Sequence, residues 1–200
     1  MQNVPRKHHY LPKCYLAGFT PSGDADDFLH IIDKRTGDRR RQRPKEVAHE
    51  RDYFRIEAPD ADPNHVERKL SELEGKATTI LRAIDQERTL PTGADFSTLI
   101  VFVSFLAVRV PSTRDMFDDS YETMMKFIAR MAVATPLIWK SNVERMRADG
   151  KDIGDVTYEQ MKDLVDRDAY RVVPPENHFV EMMLKTVETI GMWFARREWS

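Results

Sequence analysis

From Val66 to Phe194 apolar residues return every three or four positions, and that spacing commits most of the chain to helices. Val66, Leu70, Leu73, Ala77, Ile80, Leu81 and Ile84 form the first stripe. Asp62 suits the N-cap and Pro63 the first helical position, where a missing amide proton costs nothing. A second helix over 94–108 is apolar on nearly every side, so it needs neighbours all round and belongs at the centre. Pro111 interrupts the chain, because its ring disfavours helix at Val110. A third helix begins near Ser112, with Met116, Phe117, Tyr121, Met124, Ile128 and Met131 as its inner stripe. Pro136 ends or kinks it before a shorter continuation through Val143 and Met146. Thr157 and Gln160 have capping-box spacing ahead of Met161, Leu164 and Val165. After Pro174 and Pro175 a last helix buries Phe179, Met182, Met183, Val187, Ile190 and Phe194.

Residues 1–59 follow a different rule. Pro5, Pro12, Pro21, Gly18, Gly23 and Gly37 cut them into pieces too short for stable helices. Phe28 to Asp33 reads as a strand, Lys34 to Asp38 as a turn, and Tyr53 to Ile56 as a second strand-like stretch. The expected architecture is therefore mainly α. A bundle of about five to six helices (60–200) carries a small N-terminal β-hairpin and irregular region (1–59), the two packed together as one domain.

The apolar run from Leu99 to Val108 falls short of the ~20 residues needed to cross a bilayer, so no membrane association is expected. Met1 to His9 lacks the apolar core of a secretory signal, and the single cysteine, Cys14, permits no intrachain disulfide. A reducing cytoplasm is the expected compartment. A formal charge of -2 exerts no global pull on nucleic acid, so any charge argument is local.

The densest charge is Lys34, Arg35, Arg39, Arg40, Arg41, Arg43 and Lys45, opposed within that stretch by Asp38 alone. Arginine presents a planar fork of donors to phosphate and releases counterions on binding. Arg39, Arg40, Arg41 and Arg43 are thus the candidate phosphate-binding residues and nucleic acid the candidate partner, against the plainer reading of a solvated hairpin rim. Tyr53 and Phe54 either stack on bases or serve as core. His8, His9, His30 and His49 also fall in this region, with Asp33, Glu50 and Asp52. Imidazoles beside carboxylates suit acid–base or metal chemistry. A metal-assisted nuclease would use His8, His9, Glu50 and Asp52 catalytically, with a divalent ion held by His9 and Asp52. The competing reading is a non-catalytic helical interaction or scaffold module in which the histidines merely pack. Convergence of His9 and the acids in a cleft favours the first, and dispersal the second. No His-Glu-x-x-His or paired Cys-x-x-Cys is present, and the scattered glycines exclude classical P-loop and dinucleotide enzymes.

The stretch from His8 to Phe19, His-His-Tyr-Leu-Pro-Lys-Cys-Tyr-Leu-Ala-Gly-Phe, resembles the opening signature of domain of unknown function family 4238. Asp33 to Gly37 resembles that family's hairpin turn, Val47 to Phe54 its Glu-Asn-Asp-aromatic-Tyr segment, and Val66 to Glu74 its first amphipathic helix. Phe105 to Pro111 is similar to its Leu-Arg-Thr-Pro helix end, and Asn177, His178 and Trp193 to its final helix. Arg51, Ala17 and Val110 depart from the usual residues. The resemblance implies a bacterial or phage-related source. It also implies that this chain, ending at Ser200, lacks the family's strand-rich C-terminal part.

Overall fold

The computed structural model describes residues 6–199; Pro5, one of the breakers named above, lies outside them. The fold is mainly α, with seven helices and two small antiparallel strand pairs among the described residues. In chain order come β1 (Lys7–His9), α1 (Lys13–Ala17), β2 (Leu29–Ile32), β3 (Arg39–Gln42), a 3-10 turn at Pro44–Glu46, and β4 (His49–Arg51). The remaining helices are α2 (His65–Glu87), α3 (Gly93–Val108), α4 (Pro111–Ala132), α5 (Pro136–Ala148), α6 (Tyr158–Asp166) and α7 (His178–Ala195). The chain divides into two compact units, one formed by Met1–Arg114 with Glu176–Ser200 and the other by Asp115–Pro175.

In the first unit α3 packs against both α2 and α7, as its all-round apolarity required. It buries Leu99, Ile100, Phe102 and Val108 together with Ser104, whose hydroxyl donates to the Ile100 carbonyl at 2.7 Å and so enters the core satisfied. Helix α2 buries Val66, Leu70, Ala77 and Ile80 but starts later than expected, with Asn64 as N-cap. Asp62 instead accepts the Asn64 amide at 3.0 Å and pairs with Arg68, shaping the turn that precedes the helix.

Strand β1 pairs with β4 in the register Lys7↔Arg51, His8↔Glu50 and His9↔His49. The β2–β3 hairpin runs from Leu29↔Gln42 to Ile32↔Arg39, around the turn anticipated at Lys34 to Asp38. Tyr53 to Ile56, expected as a strand, is a turn and loop instead. Asp52 adopts the left-handed conformation (φ 55) and its carbonyl accepts the Arg55 amide at 3.0 Å, which reverses the chain after β4. That reversal carries Tyr53 and Phe54 into the core, where their ring centroids lie 5.1 and 6.4 Å from that of Phe179. Buried rings so placed stabilise the unit and are withdrawn from base stacking.

The second unit holds α4 beyond Asp115, α5 and α6. Thr135 caps α5 by accepting the Ile138 amide at 3.2 Å. Thr157 and Gln160 form the expected capping box on α6, at 3.0 and 3.2 Å. The inner stripe expected on α4 is only partly internal. Phe117 is buried, whereas Met116, Met124, Ile128 and Met131 are 47% to 57% exposed. A helical period shows that apolar residues share a face; it does not supply the surface that covers them. Among the described residues no single helix is long and apolar enough to cross a membrane.

Candidate functional site

The histidine pair is built into the β1–β4 ladder, where the pleat sends successive side chains to opposite faces. His8 is fully buried, and its Nδ1 accepts the Phe54 amide at 2.9 Å while its ring stacks on Phe54 at 6.1 Å. An accepting Nδ1 fixes the neutral tautomer with the proton on Nε2. His9, 8% exposed, meets His49 edge-on at 5.3 Å. Burial, then the charge of Lys13 and the neighbouring His49, brings its pKa down to about 4, so it is neutral at physiological pH. Its Nε2 has no protein partner among the described residues.

The carboxylates expected to join these histidines point elsewhere. Asp52 takes two hydrogen bonds from Arg6 Nε, at 3.0 and 3.1 Å, and that guanidinium holds its carboxyl below the usual range. Glu50 lies across the ladder from His8 and is exposed. Alternation along β1 therefore separates His9 from the face shared by His8 and Glu50. Among the described residues no group of three or more His, Cys, Asp or Glu side chains is placed to hold a metal ion. The divalent ion expected at His9 and Asp52 thus has no ligand set here, because the ladder disperses its ligands and Arg6 occupies the carboxylate.

The end of β1 is tied to the helices by a residue to which spacing assigns no role. Arg109 follows the last turn of α3 and is 1% exposed. Its Nη2 donates to the His9 carbonyl and to Glu74 Oε1, both at 2.7 Å, and its Nε to the Tyr10 carbonyl at 3.0 Å. The guanidinium also lies 5.7 Å from the Phe54 ring centroid. Glu67, one heptad before Glu74 on α2, sits half-buried in the same cluster. Burial, and then repulsion from Glu74, pushes its pKa up to about 7 despite the opposing pull of Arg109 and Lys13. The signal for this cluster was present in the sequence. Glu67, Leu70, Glu74 and Ala77 share one helical face, so two carboxylates stand in a partly buried stripe that calls for a cation. A second tie joins α7 to the same unit. Asn177 Nδ2 donates to the Glu57 carbonyl and the Glu57 amide donates to Asn177 Oδ1, both at 2.8 Å.

The hairpin is organised in the opposite way. Leu29 is buried, so the face it shares with Ile31, Arg40 and Gln42 turns inward near Leu29, while His30, Ile32, Arg39 and Arg41 lie on the other face. Arg39, Arg40 and Arg41 are all exposed, and among the described residues none is in an ion pair within 4 Å. The hairpin's own acids are committed to its turn. Asp33 Oδ1 accepts the Arg35 and Thr36 amides at 2.8 and 3.2 Å, which depresses its pKa, and Asp38 Oδ2 accepts the Thr36 hydroxyl at 2.8 Å. Arg43, the fourth candidate, differs. Its Nε donates to the Asp26 carbonyl at 3.1 Å, and both Arg41 and Arg43 lie over the Phe28 ring, 4.8 and 4.9 Å from its centroid. An open concavity lined by His30, Ile31, Ile32 and Arg39 to Arg41 runs along the strand pair.

No curated protein and no solved structure matches this chain. A family model described as protein of unknown function (DUF4238) matches residues 7–200, which include the His8 opening, the hairpin and the Arg109 helix end. The chain belongs to that family.

Proposed function

We propose that this chain binds the phosphodiester backbone of nucleic acid through the β2–β3 hairpin, in the cytoplasm of a bacterial cell. The observation that carries the reading is the contrast between Arg39, Arg40 and Arg41, exposed and outside any ion pair, and the hairpin acids Asp33 and Asp38, occupied by their own turn. Exposed arginines outside any ion pair keep most of their attraction for phosphate oxygens and release counterions when they bind, with Arg40 and Arg41 feeling Asp33 and Asp27 only at longer range. Arg43 supports the hairpin through Phe28 and the Asp26 carbonyl, and its remaining donors add a weaker contact. Backbone contacts of this kind position a strand without reading its bases, so the binding is sequence-independent. The dispersal of His8, His9, Glu50 and Asp52 gives no support to cleavage, and the reading is of a binding protein.

The test is fluorescence anisotropy with a labelled single-stranded oligonucleotide and its duplex, on the wild-type chain and on the Arg39→Glu/Arg40→Glu/Arg41→Glu variant. Binding by the wild type, lost in a variant that keeps its circular-dichroism spectrum, is the expected result. Equal affinity of the two proteins would overturn the proposal.

A further inference from the structure

Helix α4 exposes an apolar stripe that its own unit leaves open. Met116, Met124, Phe127, Ile128 and Met131 are 54%, 53%, 60%, 47% and 57% exposed. At 100° per residue these five span about 120° of the helix circumference. Leu137 and Ile138 at the start of α5, 77% and 42% exposed, add to the same unit's apolar surface. A contiguous patch of this kind on a helix is the mark of an interface.

The charges along one edge of the stripe say what covers it. Asp119 lies near the N-terminal end and Arg130 near the C-terminal end, three turns apart and so nearly aligned along the helix. Both are exposed, and among the described residues neither is in an ion pair. An edge that is acidic at one end and basic at the other is complementary to itself when reversed. In an antiparallel helix pair, like edges face each other. A two-fold axis near Met124 then sets Asp119 of each copy against Arg130 of the other, while the apolar stripes meet between them. A parallel pair would instead set each edge against the partner's opposite edge, and Asp119 and Arg130 would not face each other.

We propose that α4 is the interface of an antiparallel homodimer, with the stripe from Met116 to Met131 packed on its own copy and two reciprocal Asp119–Arg130 contacts fixing the register. This inference stands apart from the nucleic-acid reading, since every residue it uses lies in the second unit and none in the hairpin.

Sedimentation velocity of the full chain over a range of concentrations tests it. The wild type is expected to dimerise, and Met124→Glu/Ile128→Glu to be monomeric with unchanged helical content. Asp119→Arg and Arg130→Asp each place like charges at both contacts and should weaken the dimer at least about fivefold. An equimolar mixture of these two single variants restores opposite charges at both contacts and should regain dimerisation. A wild type that stays monomeric throughout, whether the stripe is bare or serves a different protein, overturns the proposal. So does a dimer that the single charge reversals leave unchanged, or a mixture no stronger than its components.

Discussion

Arginine occupies two opposite environments in this molecule. Arg109 is 1% exposed and holds the carbonyls of His9 and Tyr10 and the carboxylate of Glu74 within 3.0 Å. Arg39, Arg40 and Arg41 are exposed on a two-stranded hairpin whose acids are bound into its turn. A buried guanidinium has been desolvated and survives only through its partners, so its effect is felt in stability. An exposed one keeps its hydration and leaves its field available to a ligand. The comparison separates a residue that builds the fold from residues proposed to meet a partner, although both kinds are called basic in the sequence.

The sharpest way to break this comparison is to remove Arg109. Arg109→Met strands part-buried Glu74, the buried His9 carbonyl and the part-buried Tyr10 carbonyl, and should cost about 3 kcal/mol in urea unfolding, with oligonucleotide affinity per folded molecule unchanged. Reversing Arg39, Arg40 and Arg41 should do the converse. Affinity falls by roughly a hundredfold, about 2.7 kcal/mol, while unfolding free energy moves by no more than about 0.5 kcal/mol. His8→Ala removes the acceptor of the buried Phe54 amide and the stacked ring, and should cost about 2 kcal/mol without touching affinity.

The smallest effect is a pH dependence. The pKa of Glu67 is raised in the folded state, so the native protein binds its proton more tightly than the unfolded chain does. Stability from this group is therefore intact below the unfolded carboxyl range and falls as pH rises towards about 7. Glu67→Gln should gain about 1 kcal/mol at pH 8 and nothing at pH 4, as followed by thermal melts. His9 acts with the opposite sign. Its pKa is lowered to about 4, so it costs stability as pH falls from the ordinary histidine value towards that point. The wild-type profile is consequently flatter than either group alone would make it.

Much of this fold was legible from residue spacing, because hydrophobic period, proline position and capping chemistry are local. The all-apolar α3, the Thr157–Gln160 box and the hairpin around Gly37 all follow from neighbours within a few positions. Tyr53 to Ile56 has the composition of a strand, but a left-handed Asp52, a conformation that short polar residues tolerate, turns the chain after β4. On α4 the period defines a face, but whether that face is covered depends on a distant or second surface. The candidate site divides in the same manner. The arginine run declares itself by composition. The dispersal of His8, His9, Glu50 and Asp52 depends on ladder parity and on Arg6, and the Arg109 cluster on contacts across 35 to 100 residues.

The phosphate contacts proposed for the hairpin arginines, which stand outside any ion pair among the described residues, are measured most directly by the salt dependence of oligonucleotide binding. Three such contacts predict that log Kobs against log salt concentration has a slope of roughly −2 on single strands and roughly −3 on duplex, collapsing in the triple charge reversal. A wild-type slope near zero, or a slope the reversal leaves untouched, would contradict the proposal.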